Sequence, residues 1–297
     1  MNFFDDALDD QLIVHLNGEF LPLPAARISP LDRGFVFADG VYEVIPAYGG
    51  RLLRLQEHLQ RLDNSLSGIR MDNPLPHHAW QEMLMELLRR NGNGDQSVYL
   101  QVTRGPAFPR EHAFPAHPRP TVFAMCTPIR ESDPALREAG VPVISHPDIR
   151  WDRCDLKTVS LLPAVLMKQL AKDRGAFETL LIRQGLVLEG AASNVFAVLD
   201  GVLTTPPKGP FLLPGITRDL VLELAAEHGF PAQERDIPLE RLLSADEVWI
   251  TSSTRAIVPV TRVDEQSIAS GRPGPVFAQF HDWYQARLAA LRTGEKQ

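Results

Sequence analysis

Apolar residues in the first half of the chain alternate in short runs and then switch to a helical spacing. Residues 12–16 and 19–23 flank Asn17-Gly18, a pair that favours the tight turn of a two-residue β-hairpin. Gly49-Gly50 plays the same part between 42–48 and 51–55. The period then lengthens. Leu59, Leu62, Leu66 and Ile69 recur at three- and four-residue steps and predict a helix over 56–69. Met83, Leu84, Leu87 and Leu88 predict another over 77–90, stopped by Asn91-Gly92-Asn93-Gly94. Strands are predicted at 98–102 and 121–126. The intervening stretch, 103–120, holds Pro106, Pro109, Pro115, Pro118 and Pro120. Proline supplies no ladder donor and breaks helix interiors, so this is an irregular excursion.

A charged stretch over 130–138 is read as the join between two domains, 1–130 and 131–297. Beyond it the pattern predicts a strand at 141–145 and a helix at 163–173. Hairpins follow at Gln184-Gly185 and Asp200-Gly201, then a helix at 217–229, a strand at 247–250 and an amphipathic helix at 276–291. Four hairpins and several helices without regular β-α-β alternation predict an α+β fold rather than a doubly wound sheet.

Composition narrows the function. A chain of 297 residues has room for two cores. Its 44% hydrophobic and 23% charged residues match an ordinary globular protein. The net charge is −7 and lysine and arginine are scattered, so no footprint for nucleic acid exists. No apolar run is long enough to span a membrane. Residues 1–10 are acidic and lack the basic start and apolar core of a secretory signal, so a cytoplasmic protein is expected. Cys126 and Cys154 are too few for a disulfide scaffold or a zinc site, and reduced thiols are expected, with no metal.

Five segments carry candidate chemistry. In Arg150-Trp151-Asp152-Arg153-Cys154-Asp155-Leu156-Lys157-Thr158, the lysine is either a solvated surface residue or a nucleophilic amine. Leu156, Val159, Leu161 and Leu162 are expected to bring it near a core, where burial disfavours the ammonium form. Leu213-Pro214-Gly215-Ile216-Thr217 opens a helix, either an ordinary entrance with a capping threonine or a phosphate seat of free N–H groups. Thr251-Ser252-Ser253-Thr254 is a polar turn or a set of phosphate donors. Glu189, at the end of a predicted strand, is a loop glutamate or a partner for a protonated ring nitrogen. Arg110 and His112, inside the proline-rich excursion, are solvated tips or a carboxylate clamp.

Together these segments resemble the D-amino-acid aminotransferases of the fold-type IV pyridoxal-phosphate enzymes, over about residues 12–283. The resemblance is carried by Asp32-Arg33-Gly34-Phe35, Asp39-Gly40-Val41-Tyr42-Glu43-Val44, Glu57-His58-Leu59-Gln60-Arg61-Leu62 and Gln101-Val102-Thr103-Arg104-Gly105. It continues through Pro109-Arg110-Glu111-His112, the 150–157 segment, Glu189-Gly190, Ser193-Asn194-Val195-Phe196, Gly215-Ile216-Thr217-Arg218-Asp219 and Thr251-Ser252. It implies a smaller N-terminal α/β domain and a larger β-barrel-like C-terminal domain with helices. It implies that Lys157 carries pyridoxal 5'-phosphate and that Glu189 partners its ring nitrogen. Arg61, the backbone at Ile216 and Thr217, the Thr217 hydroxyl and Ser253 are implied as the phosphate anchor, with Ser193, Asn194 and Ser252 also in cofactor binding. Tyr42, Arg110 and His112 are implied to trap the substrate carboxylate, and Arg150 and Glu178 to support the site.

The implied reaction moves an amino group from a D-amino acid to a 2-oxo acid such as 2-oxoglutarate or pyruvate, by a ping-pong mechanism. The implied assembly is a homodimer in which the Arg110/His112 loop reaches the partner's site. Ala191 and Ala192 stand where hydroxyl residues are common, leaving one cofactor hydrogen bond missing, and Pro214 is more like the branched-chain enzymes. The competing readings are a branched-chain L-amino-acid aminotransferase, a lyase of the aminodeoxychorismate type, and a dimer that binds a ligand without turnover.

Overall fold

The computed structural model describes residues 11–92, 94–129 and 134–294. The acidic 1–10 segment, Asn93 and the 130–133 part of the expected interdomain join lie outside the described residues. The chain divides into two compact units. The first comprises 1–130, 156–160 and 290–297; the second comprises 131–155 and 161–289. The short segment that carries Lys157 therefore packs within the first unit.

The first unit is built on a six-stranded antiparallel sheet. Its strands are β1 (Ile13–Leu16), β2 (Glu19–Pro22), β3 (Gly40–Tyr48), β4 (Arg51–Leu52), β5 (Gln96–Thr103) and β6 (Thr121–Pro128), in the order β2-β1-β6-β5-β3-β4. Helices α1 (Arg33–Phe37), α2 (Leu55–Gly68) and α3 (His77–Arg90) accompany it. The three- and four-residue steps read from the sequence are the buried face. Leu59, Leu62 and Leu66 of α2 and Leu84, Leu87 and Leu88 of α3 join Val41, Ile45, Val98 and Leu100 in one core. The strand expected at 51–55 stops at Leu52, because Arg54 takes a left-handed backbone and caps α2.

The second unit is a ten-stranded mixed sheet that curls, with helices beside it. Its strands are β7 (Val141–Pro147), β8 (Glu178–Arg183), β9 (Leu186–Gly190), β10 (Asn194–Leu199), β11 (Val202–Thr205), β12 (Ala232–Glu234), β13 (Ile237–Pro238), β14 (Glu247–Ser252), β15 (Ala256–Val263) and β16 (Gln266–Ser267). The order is β12-β11-β10-β14-β15-β7-β8-β9-β13, with β16 on β15. Its helices are α4 (Pro134–Ala139), α5 (Leu162–Asp173), α6 (Ile216–Glu227), α7 (Leu239–Leu243) and α8 (Pro275–Thr293). The fold is α+β, as the sequence pattern predicts. All four hairpin pairs have positive φ at both central residues, the twist-matching turn that their composition calls for.

Two features of these sheets position chemistry. In the first unit, residues 157–159 run along the edge of β3: the Tyr42 N–H donates to the Lys157 carbonyl (2.9 Å) and the Val159 N–H to Gly40 (3.0 Å). In the second, the β8–β9 register shifts, with Leu181 opposite Glu189 but Ile182 opposite Val187. Leu188 is the extra residue of a bulge. Val187 and Glu189, two positions apart on β9, are both buried, as strand alternation dictates.

Candidate active site

Lys157 is fixed by its backbone from two sides. Besides its carbonyl's bond from Tyr42, its N–H donates to the Ser65 hydroxyl on α2 (3.1 Å). Next to it, Leu156 is buried against Gly68, where an added methyl group would overlap the leucine side chain. The Lys157 amine lies 4.2 Å from the centre of the Tyr42 ring, which stacks on Tyr99. The expected apolar setting is corrected in part. Leu156 is buried, but Leu161 and Leu162 face solvent, being 38% and 68% exposed. The inward face of α5 is set by Met167 and Ala171 instead. Lys157 is thus half-buried against an aromatic face rather than enclosed by aliphatic residues.

Behind β3 lies a buried charge cluster in which only Arg61 is given a role by the resemblance. Arg61 of α2 forks onto Glu43 of β3 through two 2.8 Å bonds, and His58 meets the same carboxylate at 2.7 Å. Burial alone would raise the Glu43 carboxyl, but Arg61 and His58 outweigh it and hold it far below the usual range. Burial lowers His58 against the pull of Glu43. Arg61 is thereby held rigid and cationic beneath the strand that carries Tyr42.

Arg110 and His112 lie on the exposed excursion between β5 and β6. Both rest on the Phe37 ring of α1, Arg110 at 4.3 Å and the His112 ring at 5.1 Å from its centre. The two candidate carboxylate donors are therefore neighbours on one aromatic platform.

In the second unit Glu189 is buried and densely bonded. It pairs with Arg150, accepts from the Asn194 amide (3.1 Å), and receives the Leu213 N–H at 3.2 Å on each oxygen. Arg150 is divided. Its Nε (2.9 Å) and one terminal nitrogen (3.2 Å) donate to buried Asp148, which also holds Arg183. Asp148 does not stand out in the sequence; it sits two residues before Arg150 and fixes that side chain. At Glu189 burial outweighs the pull of Arg150 and the Leu213 amide and, with Asp148 nearby, pushes the carboxyl up to about 7. Glu178 and Ser193 meet each other, the Ser193 hydroxyl donating at 3.2 Å.

Helix α6 begins at a glycine N-cap that supplies no side-chain acceptor, so the first amides, those of Ile216 and Thr217 included, point out of the helix end. Asn194 packs against Gly215, whose missing side chain makes room for it. Asn194 also pairs across strands with Thr251, so the two side chains share a face of the sheet. The Thr251 hydroxyl is buried with no hydrogen-bond partner among the described residues. Ser252 and Ser253, just beyond, are half-exposed. The arrangement suits an anion: a positive helix end, hydroxyl donors, and a buried hydroxyl left unsatisfied.

The chain belongs to the class IV aminotransferases, whose family model matches residues 40–263. Among its relatives, the D-alanine aminotransferase of Bacillus licheniformis is 43% identical, over 89% of this chain and 92% of that one. The D-alanine aminotransferase of Staphylococcus epidermidis is 38% identical, over 92% and 96%. Among solved structures, a T.th. branched-chain amino acid aminotransferase with pyridoxamine 5'-phosphate aligns with a TM-score of 0.87 at 28% identity, covering 95% of each chain. That of Escherichia coli aligns at 0.85 and 26% identity, over 97% of this chain and 96% of that one.

Proposed function

We propose that this chain is a pyridoxal-phosphate-dependent transaminase that moves the amino group of a D-amino acid, such as D-alanine, to 2-oxoglutarate or pyruvate. The observation that carries the reading is the mounting of Lys157, with its backbone pinned to β3 and α2 and its amine beside Tyr42. The preference for D- over branched-chain L-amino acids rests on the D-alanine aminotransferase relatives and on the presence of Tyr42, Arg110 and His112 together.

The residues fit the cofactor. Glu189 is a buried carboxyl whose ionisation a cation beside it would favour, as a protonated ring nitrogen is. The amides of Ile216 and Thr217, the hydroxyls of Ser252 and Ser253, and Arg61 would hold the phosphate, and the unsatisfied Thr251 hydroxyl suits the same anion. When bound, pyridoxal phosphate draws off the electron pair left at the substrate Cα. Lys157 would hold the cofactor through Nζ and would carry the Cα proton. Asn194 and Arg150 aim Glu189, and Glu178 fixes Ser193 beside them. Tyr42, Arg110 and His112 grip the α-carboxylate. Phosphate, ring nitrogen and carboxylate then make three anchors, which decide the face of Cα offered to Lys157.

The enzyme acts as a cytoplasmic homodimer, with the loop of one subunit serving the partner's site. The free thiols of Cys126 and Cys154 suit a reducing compartment, and no described helix is long and apolar enough to cross a membrane. A panel of D- and L-amino acids with 2-oxoglutarate or pyruvate as acceptor tests the activity. D-alanine is expected to react in the presence of an acceptor. Turnover of L-leucine alone rejects the D-specific reading, and pyruvate release without an acceptor favours the lyase.

Subunit mixing tests the shared site. Lys157→Ala and Arg110→Ala/His112→Ala are each expected to be inactive against D-alanine. Co-refolded in equal amounts, they should regain about a quarter of wild-type activity, since half of the dimers are hybrid and each hybrid has one intact site. A loop that serves its own subunit regains nothing on mixing.

A further inference from the structure

Buried Arg33 makes an unusual set of bonds. Its Nε donates to Asp39 (2.8 Å), while its terminal nitrogens donate to three successive loop carbonyls: Glu111 (2.6 Å), His112 (3.0 Å) and Ala113 (3.2 Å). The residue that grips is 4% exposed, whereas residues 110–114 are exposed. This stretch has no ladder bonds of its own to order it. Asp39 is anchored in turn by Arg104, at 2.8 and 3.0 Å, and the Arg104 guanidinium lies 3.7 Å from the Phe114 ring centre. The same short helix holds the start of the excursion, where the Arg33 N–H donates to Gly105 (3.0 Å). It also supplies Phe37, on which Arg110 and His112 rest.

We propose that Arg33, held by Asp39, is a positioning residue for substrate-carboxylate recognition, fixing the backbone at 111–113 so that Arg110 and His112 stand ready beside each other. The inference rests on the reading of that loop as the carboxylate trap. Three carbonyls turned onto one guanidinium define the peptide planes on either side of His112. Lysine cannot reproduce this, because its single ammonium lacks the fork that spans Asp39 and the loop together. A loop ordered in advance captures its ligand without having to be ordered on binding.

The test compares the wild-type holoenzyme with Arg33→Lys and, as a second variant that keeps the arginine, Asp39→Asn. Three quantities are read: KM and kcat for D-alanine, amide hydrogen exchange over 105–114, and the cofactor's visible spectrum. Arg33→Lys is expected to raise KM about 10- to 100-fold, to change kcat by less than about threefold and to speed exchange in the loop, with the spectrum unchanged. In an Arg110→Ala background the same substitution should alter kcat/KM by less than about threefold, because the two residues act as one unit. An unchanged KM despite faster exchange overturns the proposal. So does an equal loss in both backgrounds, or a loss that comes with an altered cofactor spectrum. If Arg110→Ala itself leaves KM unchanged, the carboxylate-trap reading fails, a result distinct from failure of Arg33 alone.

Discussion

Replacing Lys157 by alanine is expected to lower D-alanine transamination by at least about four orders of magnitude while leaving the fold intact. The size of the effect follows from the role. No other amine is mounted on β3 among the described residues, and the proton carried at Cα has no second acceptor of this kind. The intact fold follows from the geometry, since the bonds that hold the segment run through backbone N–H and carbonyl groups that alanine keeps. Borohydride treatment of wild-type holoenzyme should fix the cofactor on Lys157 and on no other residue, and the variant should take up no label. A variant that retains a tenth of the wild-type rate would remove Lys157 from the mechanism.

The second large effect is expected at Glu189. Glu189→Gln keeps the shape and loses the charge that would hold a proton on the ring nitrogen, so kcat should fall about 100- to 1000-fold. The same variant has a signature without cofactor. The Glu189 carboxyl stands at about 7 in the folded chain, against 4.5 as its ordinary value. Its folded value is the higher one, so its contribution is fully present below pH 4.5 and is lost as pH rises through 7. In the apoprotein, wild type should therefore lose up to about 3 kcal/mol relative to Glu189→Gln between pH 4.5 and 8. Buried His15 and His58 and half-buried His281 titrate in the opposite sense, but they are common to both proteins and cancel in the difference. Urea denaturation at several pH values measures it. A flat difference would mean that Arg150 already keeps the carboxylate ionised.

The sequence reveals elements wherever one face of a long element does one job. α2, α3 and α8 come within a residue or two of their predicted spans, because their apolar stripes pack on a core. The pattern does not predict β15. Pro259 interrupts Ala256–Val263 and speaks against a central strand, yet the structure places it between β14 and β7. α1 escapes the pattern as well, being five residues long with too few apolar positions for a period; the Asp32 N-cap is its one local sign.

The candidate site shows the same division. Lys157, Glu189 and the Gly215 turn can be found from local chemistry and family resemblance. Glu43 and Arg33 cannot, because each has its role through partners distant in the chain, Arg61 and His58 for Glu43 and residues 111–113 for Arg33; Asp148 cannot because nothing local shows that it holds both Arg150 and the distant Arg183. A lone acidic or basic residue gives no sign of such a partner until the strands are paired.

The way the Lys157 segment covers β3 also bears on how the protein can be cut. The chain leaves the first unit near residue 130, returns for 156–160 and leaves again. A fragment ending at 130 would carry the six strands but leave Gly40–Tyr42 with open amides and carbonyls along one side. Such a bare rim is a template for strand addition from another molecule. Truncated chains, whether made by a nicking protease or by an interrupted ribosome, would thus be prone to stick to one another. The five residues that carry Lys157 also act as the hem that keeps this sheet from fraying.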